Sequence, residues 1–301
     1  MNKILLVDGS ALLHRAYHAY PPLKSKTGEI VGAVYGVASI LISALEEVKP
    51  SHVMVAWDLP KPTFRHIKYV GYKAQRPKAD AEMVKQIPKV KEIIEAMDIV
   101  QVAQEGFEAD DIIGTLSTNY SNAQNDVVIL TGDQDTMQLV NDLVRILTPA
   151  KGANPPVLYG PEEVKAKYAV TPSQIVDYKA LIGDPSDNIP GVAGIGPKSA
   201  ATLLNLFRTV ENIYKNIDKI ENEKVKEKLN AGKDSVELSY ELSKIVTDMN
   251  ISESMESMEY KGLQGEVLKA KFFEFGFKSL IKRFFPDSVE EKKIDNQMGL
   301  F

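Results

Sequence analysis

The chain opens with a short unbroken apolar run, Lys3–Val7 (KILLV), that stops at Asp8. The same shape returns twice. His52–Trp57 (HVMVAW) runs into Asp58, and Asp126–Leu130 (DVVIL) runs into Thr131-Gly132-Asp133. Val144–Thr148 reads as a further strand and Ile99–Val102 as a short one. Between these runs, apolar residues recur at helical spacing over Val31–Val48, Glu82–Met97 and Glu108–Asn119. Strands that are apolar throughout, rather than alternating, are buried on both faces. The pattern therefore predicts an α/β fold, with a central, mostly parallel sheet covered by helices. Beyond Gly160 the strand signals fade. Pro161–Tyr168, Pro172–Leu181 and Pro197–Phe207 read as helices that open on a proline, and charged helices continue to about Phe285. The expected organisation is an α/β part at 1–160, a helical part at 161–285 and a polar tail at 286–301. There is no internal repeat.

Composition narrows the class. At ~150 residues per domain, 301 residues allow one large domain or two. A chain that is 44% hydrophobic and 26% charged is not largely disordered. No apolar run approaches the ~18 residues of a membrane span. The absence of cysteine excludes disulfide scaffolds, thiolate zinc sites and cysteine nucleophiles, and fits a reducing cytoplasm.

A net charge of −5 would argue against a nucleic-acid partner, but the charges are uneven. From Lys61 to Lys91 lie Lys61, Arg65, Lys68, Lys73, Arg76, Lys78, Lys85, Lys89 and Lys91, opposed only by Asp80 and Glu82. Phe64, Tyr69 and Tyr72 are interleaved with them. Cations mixed with aromatic rings suit a nucleic-acid strand, with phosphates on Lys and Arg and bases on the rings. Lys85, Lys89 and Lys91 fall at helical spacing and read equally as a solvated helix face.

The acidic residues are the sharper signal. Asp8, Asp58, Asp133 and Asp135 follow strands, Glu108, Asp110 and Asp111 open a helix, and Asp184 and Asp187 sit in the loop GDPSDNIPG. In an open α/β sheet, ligands bind outside the carboxyl ends of the strands, so three strand ends aim acids at one crevice. Any single one could be a helix cap or turn residue. Together, nine clustered carboxylates cannot all ionise without cations. Hard divalent ions with oxygen ligands, Mg²⁺ or Mn²⁺, are the expected compensation, and a pair of them ~4 Å apart would suit a phosphodiester. A dehalogenase-like phosphatase also starts with an Asp after a strand, but wants a second acid two residues on, where this chain has Asp8-Gly9-Ser10.

A second motif is Gly191-Val-Ala-Gly194-Ile-Gly196-Pro197-Lys198-Ser199. Pro197 separates glycine from lysine, which spoils a phosphate-binding P-loop. A helix-hairpin-helix over 188–207 fits better, with Pro197 starting the second helix and backbone N–H groups facing a duplex phosphate, reinforced by Lys198.

VDGSALLHRAYHA, AWDLPKPTFRHIKYVGYKAQRP, GFEADDIIGTL, ILTGDQDTMQLV and YKALIGDPSDNIPGVAGIGPKSAATLL occur in that order. Together they resemble the 5′–3′ exonuclease domain of bacterial DNA polymerase I and, more broadly, the flap endonuclease superfamily, over about residues 1–285. The resemblance implies a PIN-like nuclease fold whose basic segment 61–92 arches over the active site. The implied activity is two-metal hydrolysis of 5′ ends and flaps of duplex DNA and of RNA–DNA primer junctions, in a bacterial cytoplasm at the nucleoid.

By position, Asp8, Asp58, Glu108, Asp110 and Asp111 would serve one metal, some of them through water. Asp133, Asp135, Asp184 and Asp187 would serve the other, with Asp110 between. Lys73 and Arg76 would act on the scissile phosphate. Tyr72 would stack near a flipped 5′ nucleotide, and Arg15 and Arg65 would contact phosphates. The hairpin glycines would grip the downstream duplex and hold K⁺.

The chain stops where a polymerase would continue, as either a truncated polymerase or a stand-alone exonuclease would; its ending favours the second, expected to be a monomer. Gln297-Met-Gly-Leu300-Phe301 resembles a bacterial sliding-clamp-binding peptide, and implies a tether to the clamp. A non-catalytic branched-DNA-binding or clamp-adapter protein on the same fold is the competing class, disfavoured by the complete acid set. A single-strand RNase on a PIN-like fold would carry fewer acids and no such hairpin.

Overall fold

A computed structural model describes residues 2–150, 152, 154–263 and 265–286. The clamp-like peptide, with Gln297, Leu300 and Phe301, lies outside the described residues.

The apolar runs form a six-stranded sheet: β1 (Asn2–Asp8), β2 (His52–Ala56), β3 (Val100–Val102), β4 (Asn125–Leu130), β5 (Val144–Thr148) and β6 (Val157–Tyr159). The spatial order is β3-β2-β1-β4-β5-β6. All pairings are parallel except β5 with the edge strand β6. The chain leaves β1 first for one side of the sheet and later returns to the other. The switch point therefore lies between β1 and β4, where a crevice opens at the strand ends.

Helices α1 (Gly9–Ala19), α2 (Gly32–Val48) and α4 (Ala81–Ala96) share one hydrophobic cluster with one sheet face. The short α3 (Phe64–Lys68) precedes α4, and α5 (Ala109–Tyr120) packs on the other face. Helix α1 and strand β6 were not visible in the apolar pattern. The first is short and carries two His and an Arg, and the second is an exposed three-residue edge.

The later chain is helical: α6 (Pro161–Tyr168), α7 (Ile175–Ile182), α8 (Pro197–Phe207), α9 (Val210–Lys215), α10 (Glu223–Ala231), α11 (Lys233–Ser243), α12 (Gly265–Phe275) and α13 (Lys278–Phe284). The cluster on the α5 face runs from Ile4 and Ile129 of the sheet to Leu181, Leu204 and Leu229 of this part without a break. The chain passes from α/β to helical at about residue 160, yet no separate core begins there. Helices α12 and α13 return to the first part and bury Phe272, Leu280 and Ile281 against the α2–α4 layer. No described helix is long and apolar enough to cross a membrane.

Candidate active site

Asp8 ends β1 and caps α1. One carboxylate oxygen accepts from the Ala11 amide at 2.9 Å and the other from the Thr131 hydroxyl at 2.9 Å, which ties β1 to the end of β4. Asp58, beyond β2, accepts from the Ala109 amide at 2.8 Å and so anchors the start of α5. Asp110 follows in the first turn of that helix. Its Oδ1 is buried and has no hydrogen-bond partner. Asp133 accepts from the Asp135 amide at 2.9 Å, within the turn after β4.

These five acids repel one another. Burial, and then Asp133, Asp8, Asp135 and Asp58, push the Asp110 carboxyl well above its usual range. Burial followed by Asp58 pushes Asp8 up to about 7. Burial raises Asp135 to about 6, against the opposing pull of Lys179. An orphaned buried oxygen inside an all-oxygen acidic cluster is the donor set a hard divalent cation requires. Among the described residues, however, no three acids or histidines are already drawn together as a closed ligand set.

The other acids are matched by protein cations. Glu108 meets Lys73 Nζ at 2.8 Å and the Tyr72 hydroxyl at 3.0 Å. Asp187 pairs with Arg76 and accepts from Tyr72 at 3.3 Å, with Lys73 Nζ 3.9 Å away. The Lys73 amide also donates to the Asp187 carbonyl at 2.9 Å, with Lys73 in the left-handed region at φ 53°. The segment after α3 thus lies across the acidic crevice, pinned to α5 on one side and to the Asp184–Asp187 loop on the other. Burial works against the Lys73 charge, but Glu108 and Asp187 outweigh it and hold its ammonium above the usual range.

Three of the expected site residues lie in the interior. Asp111 is fully buried, and its two oxygens accept from Arg65 at 2.7 and 2.8 Å, the Glu108 amide at 3.1 Å and the Val246 amide at 2.9 Å. A carboxylate has about four acceptor positions, so none is left for a metal. Arg65 is 3% exposed, and beyond Asp111 and Glu108 it donates to the carbonyls of Leu242 and Lys244 at 3.0 and 2.9 Å. It forms a strut between α5 and the end of α11. Tyr72 is 3% exposed and packs edge-on to His66, with ring centroids 5.2 Å apart, so its face is not offered to a nucleobase.

Elsewhere the basic segment is partly neutralised, since Lys61, Lys68, Lys85 and Lys89 pair with Glu105, Glu241, Glu82 and Glu29. Arg15, half-buried, donates to the Pro149 carbonyl at 2.8 Å and to that of Ala150.

One residue escaped the sequence reasoning. Lys179 on α7 lies between Asp135 and Asp184, paired with both, at 2.7 Å from the latter. Its position five residues before Asp184, on a helix leading into the acidic loop, was the available signal. Burial would raise the Asp184 carboxyl, but Lys179 and Ser186 outweigh it and hold the group below the usual range.

The glycine-rich motif lies between α7 and α8. Gly191 has φ +63°, and a Cβ there would stand 2.6 Å from the Ile182 carbonyl carbon. Only glycine lets the chain close the acidic loop against the end of α7. Gly194 also has positive φ, and its carbonyl accepts from Lys228 Nζ at 2.9 Å. Gly196 caps α8 without a side chain, and Pro197 and the exposed Lys198 follow.

An acidic crevice at the switch point of a parallel sheet, crossed by a basic segment and flanked by a helical hairpin, defines a nuclease-type fold. Known proteins agree. The 5′-3′ exonuclease N-terminal resolvase-like domain matches residues 3–169, and the 5′-3′ exonuclease C-terminal SAM fold matches residues 170–266. The chain belongs to the 5′–3′ exonuclease family. It is 37% identical to a 5′-3′ exonuclease of Aquifex aeolicus, over 94% of this chain and 95% of that protein. It is 42% identical to DNA polymerase I of Bacillus subtilis, over 97% of this chain but 33% of that protein, and so spans about a third of such a relative.

Among solved structures, the bacteriophage T5 D15 protein co-crystallised with metal ions superposes with a TM-score of 0.67 at 21% identity, covering 81% of this chain and 90% of that one. Human GEN1 in complex with Holliday junction DNA superposes with a TM-score of 0.59 at 15% identity, covering 91% and 67%. At these identities the likeness is one of fold.

Proposed function

We propose that this chain hydrolyses phosphodiester bonds at the 5′ ends and 5′ flaps of duplex DNA, and at RNA–DNA primer junctions, using divalent Mg²⁺ or Mn²⁺. The observation that carries this reading is the unpartnered, buried Asp110 Oδ1 inside the cluster formed with Asp8, Asp58, Asp133 and Asp135. These residues would hold one ion, and Asp135, Asp184 and Asp187 a second. When bound, such ions supply Lewis-acid stabilisation of the attacking and leaving oxygens of an in-line displacement.

The chain's own groups do the rest. Lys73, held charged between Glu108 and Asp187, presents a cation at the mouth of the crevice, where phosphate charge builds up in the transition state. Arg76, half-exposed beside it, adds a second. Glu108 and Tyr72 fix the direction of Lys73. Asp58 orients α5 by accepting from its first amide, which sets Asp110 in place. The glycine hairpin, with Gly191, Gly194, Gly196 and Lys198, offers backbone amides to a duplex phosphate. A potassium ion there would share the Gly194 carbonyl with the Lys228 ammonium. Docking of the C-terminal peptide on a sliding clamp, and a monomeric state, belong to the same proposal.

The test is cleavage of a 5′-labelled double-flap DNA with Mg²⁺, with EDTA, and by Asp110→Asn. Metal-dependent release of the flap, lowered by at least about 10²-fold in the variant, is the expected result. Tight flap binding without cleavage in either Mg²⁺ or Mn²⁺ would instead favour a DNA-binding adapter.

A further inference from the structure

The two acidic groupings are electrostatically unlike. Around Asp110 the demand for positive charge is unmet, since Oδ1 has no partner and its neighbours are acids. Around Asp184 it is already met. Asp184 Oδ1 accepts from the Ser186 amide at 2.8 Å and its hydroxyl at 2.6 Å, while Oδ2 takes Lys179 Nζ at 2.7 Å. The same ammonium holds Asp135 Oδ1. Lys179 is largely buried, with 12% of its side chain exposed, on a helix packed firmly between α8 and α11. It is therefore built into the site and not a passing surface lysine. Burial alone would push its ammonium down, but Asp135 and then Asp184 hold it up.

We propose that Lys179 is a tethered counter-ion of the second metal position, and that a divalent ion enters between Asp135 and Asp184 only by displacing its ammonium from their oxygens. The inference rests on the metal-dependent reading above and assigns a positioning role to a residue that reading does not use. Two consequences follow. The ions bind unequally, the first at the Asp8–Asp110–Asp133 cluster and the second more weakly, because it exchanges with a protein cation. Lys179 also keeps Asp135 and Asp184 together before the ion arrives, since two carboxylates left alone would repel. Charge is balanced throughout, because the ammonium stays protonated and moves off the carboxylates as the metal charge arrives.

The experiment is a calorimetric titration of the folded full chain with MnCl₂ in the absence of DNA, supported by the paramagnetic resonance signal of free Mn²⁺. Wild type is expected to show a tight and a weak step. In Lys179→Met, which keeps the apolar stem, the weak step should tighten by at least about tenfold, because its competitor is gone. Lys179→Gln should shift the same way, which guards against a packing artefact of one variant. Lys179→Arg, which keeps the charge, should retain the wild-type weak step.

A weak step that is unchanged or weakened in both neutral variants, with melting showing them folded, overturns the inference alone. A wild type that binds no Mn²⁺, or a tight step that survives Asp110→Asn, overturns the metal reading on which it rests.

Discussion

Arg65 and Asp111 show how a residue in a functional motif can be structural. Their ion pair is almost wholly buried, and its remaining lone pairs and protons are met by the Val246 and Glu108 amides and the Leu242 and Lys244 carbonyls. Removing one partner strands the other charge in a low-dielectric interior. Arg65→Ala is therefore expected to cost about 3–5 kcal/mol in urea unfolding. The double variant Arg65→Met/Asp111→Asn should cost clearly less than the sum of the single changes. Additive losses would mean that the two side chains are not coupled. In sequence, both stand in motifs dense with acids and bases, and what separates Asp111 from its neighbour Asp110 is a full set of hydrogen-bond partners. Asp110 and Asp111 are adjacent, yet the first turn of α5 points one into the acidic crevice and the other into the protein.

At the scale of elements, the loop between α7 and α8 sets the site. It carries Asp184 and Asp187 at one end and the glycine hairpin at the other, so the proposed metal and duplex contacts share one short segment. Its closure depends on Gly183 and Gly191, whose backbones touch where side chains cannot fit. The Gly191 amide is also fixed by the Ser239 hydroxyl at 2.9 Å. Gly191→Ala must adopt a positive φ and displace the end of α7, at about 1–3 kcal/mol. The expected outcome is a lowered melting temperature with weakened cleavage and weakened duplex binding together. A variant that loses stability but keeps both activities would show that the loop does not position them. The glycines were legible as a hairpin from their spacing. Their service to the acidic loop was not, since that contact joins the residue after α7 to one eight positions later.

Across the whole molecule, the acidic crevice makes stability depend on pH and on cations. Asp8 at about 7 and Asp135 at about 6 stand above their ordinary 3.8, and Asp110 is raised in the same direction. Acids whose folded pKa is raised favour folding when protonated. Stability without metal is thus highest at low pH within this group, and falls as pH climbs from about 4 through about 7. Asp184, held low by Lys179, contributes in the opposite sense, but only as pH drops below the normal carboxylate range. Metal-free protein should melt higher at pH 5.5 than at pH 7.5. Added Mg²⁺ should raise the melting temperature by about 4 °C or more at pH 7.5, and by less at pH 5.5. An equal Mg²⁺ effect at both values would mean that the raised carboxyls do not bind the ion.

The linear chain determined its parallel strands, its principal helices and the placing of acids at the carboxyl ends of those strands. A short unbroken apolar run rich in β-branched residues and bounded by turn signals fits a strand buried on both faces, and parallel strands all end on the same side. Its motifs determined the family. Tertiary structure alone decided which charges are free to work. Asp111, Arg65 and Tyr72 were drawn into the interior, Lys179 was brought between two acids, and α12 and α13 were folded back on the first helical layer. The physical reason is that a charge acts through its surroundings. Whether a carboxylate meets a metal, an arginine or an amide depends on contacts between residues far apart in the chain, and no local spacing encodes them.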